Sequence, residues 1–166
     1  MPQVVGVHLT GELRDGISAM DAALTFAQML RAKGVVGKFV ECFGDGVATL
    51  SATQRACIAN MTPEYGCTCT LFPVDDRTLE YLLLTGRDKE QVALVEAYAK
   101  AQGMWNDGAS RVYSEVLELN LSEVECSLAG PSRPHDRFAR NDARSRFNAI
   151  CADRNLDMDK RVAVNF

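Results

Sequence analysis

The chain has 166 residues, which is about the length of one domain and is enough to bury a hydrophobic core. Hydrophobic residues make up 47% and charged residues 24%, a composition that excludes an intrinsically disordered chain. The net charge of −4 argues against a general nucleic-acid-binding protein, which needs a basic balance. No apolar run approaches the length of a membrane span.

The cysteines favour a reducing environment. Six of them are spread along the chain without a Cys-x-x-Cys pair, and Cys67-x-Cys69 is too weak a pattern to define a metal site. The first residues carry no recognisable secretion signal. We therefore expect free thiols and a cytoplasmic protein, with no membrane attachment.

In chain order, the first elements are a strand and a helix. Apolar residues alternate over 5–9, which predicts a strand. The next helix begins after Ser18, with Asp21 at the third helical position as a capping box, and ends at Gly34. The mostly apolar run 35–43 predicts a second strand in a buried parallel position.

The middle of the chain continues the alternation. Gly44-Asp45-Gly46 is a tight loop, and Ser51 with Gln54 forms a capping box for a helix that extends to about Met61. A short strand is expected over 69–74.

Two more helices and a strand follow. The helices are predicted over 78–84 and from Asp88 to Gly103, and a half-buried strand over 117–121. Alternating strands and helices predict an α/β domain, specifically a three-layer α/β/α arrangement with a mostly parallel sheet.

The texture changes after residue 128. The segment 129–138 is rich in proline and predicts a linker, while 139–166 is more polar and holds six of the 18 basic residues. We expect one domain over 1–128, then the linker, then a tail that begins a following domain and includes a helix near 140–152.

Asn60 and Glu64 are the best candidates for chemistry. They are four residues apart, so an uninterrupted helix would present both from one face. An amide and a carboxylate so placed can bind a polar ligand or metal-bound water. The spacing alone favours a simpler interpretation, a polar surface pair at a helix end.

Other residues carry weaker signals. The 44–46 loop lies where α/β proteins bind ligands but lacks the phosphate-loop pattern, so a structural turn is the better interpretation. Glu41 lies within an apolar strand and is expected to pair with Lys38 or Arg55. His8 and His135 have no neighbouring nucleophile system, and we expect His135 to be solvated.

Several ordered blocks resemble the aconitase family, over roughly residues 4–138. They are GVVGKFVE at 34–41, GDG at 44–46, RACIANMTPEYG at 55–66, FPVD at 72–75, LTGR at 84–87, AKAQGMW at 99–105, and SLAGP with RP at 127–134.

The resemblance is to the bacterial and cytosolic branch, which includes the iron-regulatory proteins. It implies an iron–sulfur hydro-lyase that interconverts citrate and isocitrate through cis-aconitate in the tricarboxylic acid cycle. These are four-domain proteins, and this stretch resembles the second domain with the lead into the third. The remaining domains would then be partners of this one, and the chain alone is expected to be inactive.

The resemblance also implies roles for the candidate pair. The family's Asn-x-x-x-Glu pair matches Asn60 and Glu64: the asparagine lies by a [4Fe–4S] cluster, and the glutamate hydrogen-bonds iron-bound substrate or water. The cluster is held by a Cys-Thr-Asn and a Cys-x-x-Cys segment of the third domain. This chain contains neither segment, so we expect no metal or cofactor ligands in it.

Three other functions stay open at this point. A 2-methylcitrate-type dehydratase of the same family has its specificity residues outside this chain. An RNA-binding protein of the iron-regulatory type is disfavoured for this fragment alone, because the net charge is −4. The third is a purely structural module.

Overall fold

The computed structural model describes residues 2–106, 108, 111–158 and 160 of the chain. Strands and helices alternate through most of it. The strands are β1 Val4–Thr10, β2 Phe39–Phe43, β3 Cys69–Leu71, β4 Glu115–Asn120, β5 Ser127–Ala129 and β6 Arg137–Ala139. The α-helices are α1 Ala19–Lys33, α2 Ala52–Asn60, α3 Thr62–Tyr65, α4 Asp76–Leu84, α5 Lys89–Ala101 and α6 Ala143–Asp153.

The central sheet is parallel. Its four strands lie in the order β3-β2-β1-β4, and every neighbouring pair runs in the same direction. In the register, Val7 of β1 lies opposite Cys42 of β2 and Leu117 of β4. The predicted α/β class with a mostly parallel sheet is confirmed.

One sheet face carries the main core. Val5, Val7 and Leu9 of β1 are fully buried, as are Phe26 and Leu30 of α1, in one hydrophobic cluster. Full burial of each side chain of this size is worth about 1.5–3 kcal/mol, so this contact dominates the stability of the domain. It also holds α1 against the strands that come before and after it.

The second helical layer follows from the chain path. The connection from β3 to β4 passes from one edge of the sheet to the other and contains α4 and α5. The right-handed rule for such a crossover favours the face opposite α1 for this segment, which is consistent with the predicted three-layer arrangement. Helix α4 also contacts α2, and Leu71 of β3 and Val116 of β4 remain 50% exposed.

The helix starts agree with the sequence. Ser18 and Asp21 form both bonds of a capping box at α1, and Ser51 and Gln54 do the same at α2. Asp88 accepts a hydrogen bond from the Gln91 N–H at the start of α5. Each such cap stabilises its helix by about 1 kcal/mol.

A hairpin follows the sheet. Strands β5 and β6 pair antiparallel, so the segment interpreted from sequence as a linker contains the hairpin turn. The Asp21 carboxylate accepts a 2.6 Å hydrogen bond from the Ser127 N–H, and Gln28 of α1 bonds the Arg137 carbonyl at 2.8 Å. The hairpin is thus anchored to α1, and the division into domain, linker and tail stays a prediction.

A helix follows the hairpin. Helix α6 matches the helix predicted near 140–152. Residues 161–166 of the predicted tail lie outside the described residues. Within the described part of the chain, no helix combines the length and the apolar character that crossing a membrane requires.

Candidate active site

Asn60 and Glu64 lie on either side of a helix break. Asn60 is the last residue of α2, and Glu64 is in α3, a helix of four residues. Met61 between them has φ −83° and ψ 5°, and its N–H bonds the Ile58 carbonyl at 3.1 Å. The helix predicted to extend to about Met61 is confirmed, so the two residues do not share one uninterrupted helix, and their relative placement depends on this turn.

The sequence contains the reason for the break. Pro63 has no backbone N–H to continue the hydrogen bonds of α2, but it is well suited to the first turn of a new helix. Gly66, with φ +82°, ends α3 after one turn. A Cβ there would lie 3.0 Å from Cγ2 of Val36, so both conformation and space favour glycine.

Arg55 holds helix α2 in place through buried contacts. Its guanidinium forms a two-pronged ion pair with Asp75, at 2.8 and 2.6 Å, and both side chains are almost fully buried. The same group donates to the carbonyls of Leu50 and Val47 at 3.0 and 2.9 Å. Arg55 thereby fixes α2 relative to the preceding loop and to the start of α4.

The turn itself lies against β2 and β3. The Gly37 N–H donates to the Gly66 carbonyl at 3.4 Å, and the Thr68 N–H donates to the Lys38 carbonyl at 2.9 Å. These contacts are just before the first residues of β2 and β3. The Asn60–Glu64 turn consequently lies toward the amino-terminal edge of the sheet, not the carboxyl edge where α/β proteins usually bind ligands.

Both candidate side chains are available. Asn60 is exposed and Glu64 is partly buried, and neither side chain forms a hydrogen bond or ion pair with another described residue. A carboxylate without an internal partner can accept a proton or a hydrogen bond from a bound molecule, and an amide can donate and accept. The structure therefore presents an unpaired amide and carboxylate on one rigid turn.

The other candidates lie elsewhere. His8, at the carboxyl half of β1, bonds Glu118 at 2.6 Å and stacks on Phe43. Glu41 lies 3.7 Å from Arg111, so the expected pairing with Lys38 or Arg55 is wrong. Lys38 bonds Glu115 instead. The loop residue Gly44 packs directly against His8, which supports a structural role for that turn.

His135 also differs from expectation. It is only partly exposed, and its Nδ1 is buried without a hydrogen-bond partner among the described residues. The hairpin between β5 and β6 provides this environment, which the local proline-rich sequence does not reveal.

Half of the thiols are buried in the fold. All six cysteines are free. Burial raises the pKa of Cys42, and burial likewise raises the pKa of Cys67, whose Sγ donates to the Cys69 carbonyl at 2.9 Å. The described residues contain no group of three or more His, Cys, Asp or Glu that could hold a metal ion.

Comparison with known proteins assigns the family. The family model described as aconitase family (aconitate hydratase) matches residues 1–164. The chain belongs to the aconitase family. This match confirms the resemblance found in the sequence blocks at family level. Members of this family generally bind a [4Fe–4S] cluster.

Curated relatives are similar over most of the chain. Aconitate hydratase A of Pseudomonas aeruginosa is 57% identical over 149 residues, which is 89% of this chain and 16% of the relative. The protein of the same name from Escherichia coli is 57% identical over 150 residues, 90% of this chain and 17% of the relative. That of Legionella pneumophila is 51% identical over 162 residues, 96% of this chain and 18% of the relative.

The matches cover most of this chain but only a small part of each relative. The chain spans about a sixth of the length of these relatives, at 16–18%. It therefore corresponds to one segment of these relatives rather than to a whole relative. The similarity fixes the family but does not assign Asn60 or Glu64 a role.

Proposed function

We propose that this chain is one part of an aconitate hydratase that interconverts citrate and isocitrate through cis-aconitate. Asn60 and Glu64 are its contribution to the active site. The observation that carries the proposal is the pair of unbonded polar side chains on the turn that follows α2, the helix that Arg55 holds in place. The names of the relatives favour citrate and isocitrate over 2-methylcitrate.

The reaction needs groups that transfer protons to and from the substrate. Dehydration of citrate breaks a C–O bond and a neighbouring C–H bond and releases water. The C–H proton passes to a base in another part of the full-length protein. The hydroxyl oxygen leaves as water only when it gains a proton, and the Glu64 carboxyl group, in its protonated form, donates that proton as the C–O bond breaks. The Asn60 amide orients the same region of the bound molecule by donating and accepting hydrogen bonds.

A [4Fe–4S] cluster, when bound, supplies Lewis-acid assistance at the substrate hydroxyl and carboxylate. The residues present here fit a supporting role beside such a group. Asn60 and Glu64 are polar, and neither side chain is bonded to another described residue. We assign the protein ligands of the cluster to other segments, which are also the partners of this one, because this chain contains no Cys-x-x-Cys segment.

The test uses the full-length protein that contains this chain, after anaerobic reconstitution with iron and sulfide. Formation of cis-aconitate from citrate and from isocitrate is followed by absorbance, with 2-methylcitrate as a third substrate. Turnover of citrate and isocitrate supports the proposal. Exclusive turnover of 2-methylcitrate, or turnover of none of the three, contradicts it.

Asn60→Ala gives a second measure in the same protein. Removing the amide is expected to raise KM and lower kcat together, because orientation of the substrate serves both binding and reaction. Asn141→Ala, at an exposed position next to β6, is the matched control and should leave both constants unchanged.

A further inference from the structure

Three buried hydroxyl groups lie directly behind the Asn60–Glu64 turn. Thr62 and Tyr65 belong to α3, and Thr70 belongs to β3. The Tyr65 hydroxyl lies 2.6 Å from Oγ1 of Thr70, which lies 3.0 Å from Oγ1 of Thr62. Tyr65 is 0% exposed, and both threonines are also buried.

The hydroxyls also reach back to α2. Oγ1 of Thr62 lies 2.5 Å from the Ala59 carbonyl, one of the carbonyls left without a helical partner when α2 ends. A carbonyl can only accept, so the Thr62 hydroxyl donates there. The same hydroxyl is also oriented to donate to Oγ1 of Thr70, and the Tyr65 hydroxyl lies 3.3 Å from Oγ1 of Thr62. The three hydroxyls therefore form one hydrogen-bonded chain that joins α3 and β3 to α2.

We propose that Thr62, Tyr65 and Thr70 are positioning residues that fix Asn60 and Glu64 relative to each other. The proposal rests on the function proposed above for that pair. The chain of hydroxyls connects the end of α2, which carries Asn60, with the one-turn helix that carries Glu64, and ties both to the sheet.

The short length of α3 makes such an anchor necessary. A helix of four residues has no stability of its own, so tertiary contacts decide where Glu64 lies. Neighbours of Glu64 on both sides, Thr62 and Tyr65, supply those contacts. Burial raises the pKa of Tyr65, whose hydroxyl lies within hydrogen-bond distance of both threonines.

Isosteric variants of the full-length protein separate positioning from simple packing. Tyr65→Phe and Thr70→Val remove a hydroxyl and keep the shape. Each is expected to lower kcat at least about 10-fold with KM changed less than about threefold, because small displacements of catalytic groups can cost about 10²-fold in rate. Thr70→Ser, which keeps the hydroxyl, should restore most of the rate.

Thr25→Val is the matched control. The Thr25 hydroxyl donates to the Asp21 carbonyl at 2.8 Å within α1, so this change removes a similar bond away from the turn. It should leave kcat and KM at their normal values. A loss of kcat in Thr25→Val equal to that in Tyr65→Phe would mean that general destabilisation, not positioning, lowers the rate.

Amide hydrogen exchange of the same proteins, without cluster or substrate, is the second readout. Tyr65→Phe and Thr70→Val should speed exchange over 60–66 at least about 10-fold relative to the unchanged protein, while Thr25→Val does not. Unchanged exchange over 60–66, or normal kcat in Tyr65→Phe, overturns the proposal. If the unchanged protein turns over no substrate, the proposed function fails, and exchange alone decides whether the hydroxyls hold the turn.

Discussion

Arg55 connects three parts of the chain through one side chain. Its guanidinium bonds Asp75 at the start of α4 and the carbonyls of Val47, Leu50 and Pro73. Only 5% of the Arg55 side chain and 10% of the Asp75 side chain are exposed. A buried charge is tolerated when it is paired and fully hydrogen-bonded, which is the case for this guanidinium.

Arg55→Met should destabilise the domain by about 3–5 kcal/mol, because it leaves the Asp75 carboxylate buried without its cation. Urea denaturation followed by circular dichroism measures the free energy of unfolding. The control is Arg77→Met, since the pair of Arg77 with Glu80 is exposed and is worth less than about 1 kcal/mol. Equal losses in the two variants would show that the Arg55–Asp75 pair does not hold the fold.

Sequence reasoning placed Arg55 incorrectly. The strand pattern around Glu41 led to the expectation of a pair with Arg55 or Lys38, whereas Arg55 pairs with a residue 20 positions away. Local spacing identifies residues that need a partner, but the partner depends on how α4 packs. In contrast, the prediction of Asn60 and Glu64 as site residues needs no distant partner, because the Asn-x-x-x-Glu motif belongs to one short segment, and it stays a prediction.

At the scale of elements, helix starts were predictable and the hairpin was not. Ser18 with Asp21, and Ser51 with Gln54, are local capping patterns, and the structure contains both. The β5–β6 hairpin depends on contacts across more than 100 residues, such as Ser127 with Asp21. The proline-rich sequence carries no trace of those contacts.

Asp21 serves both of these elements. Burial alone would raise the pKa of its carboxyl group, but hydrogen bonds from Ser18 and Ser127 and the charge of Arg137 outweigh burial and hold the pKa below the ordinary 3.8. Because this pKa is lower in the folded state, the Asp21 carboxylate stabilises the protein at pH values above the ordinary pKa of 3.8. That contribution is lost as the pH falls through the lower, folded-state pKa.

Asp21→Asn should therefore lower stability at pH 7 by about 1.5–3 kcal/mol, the usual worth of hydrogen bonds to a charged group. The deficit relative to the unchanged protein should shrink below pH 4. Urea midpoints at pH 7 and pH 3 measure both effects. Asp153→Asn, at an exposed position in α6, is the control and should change neither midpoint. A deficit that stays constant with pH would rule out the charge of Asp21 as its cause.

At the scale of the whole molecule, the buried core and the most exposed apolar side chains lie in different parts of the chain. The core lies around β1 and α1, while Leu84, Leu94 and Tyr98 of α4 and α5 are 85%, 69% and 59% exposed. Helix α5 buries Val92 and Ala99, whereas Tyr98 on the same helix is exposed. Periodicity shows that a helix has an apolar face, not what covers it.

The reaction rates of the thiols can show which parts of the chain are buried. Cys42, Cys67 and Cys151 are buried, and Cys57, Cys69 and Cys126 are partly exposed. A thiol reagent should react quickly with the second group and at least about 10-fold more slowly with the first, because burial hinders access and raises the pKa of Cys42 and Cys67. The unfolded, unreduced protein should titrate six thiols. A count near zero would indicate disulfides and contradict the free thiols of the structure.

The turnover of Glu64→Gln in the reconstituted full-length protein tests most directly whether this carboxylate works in an active site. Glutamine keeps the size of the side chain, and Glu64 forms no side-chain hydrogen bond with the described residues, so the melting temperature should stay nearly unchanged. The rate of cis-aconitate formation should fall about 10²–10⁴-fold, the usual contribution of acid–base catalysis. Normal turnover with a normal melting temperature would contradict this role and leave Glu64 a surface residue at a helix end.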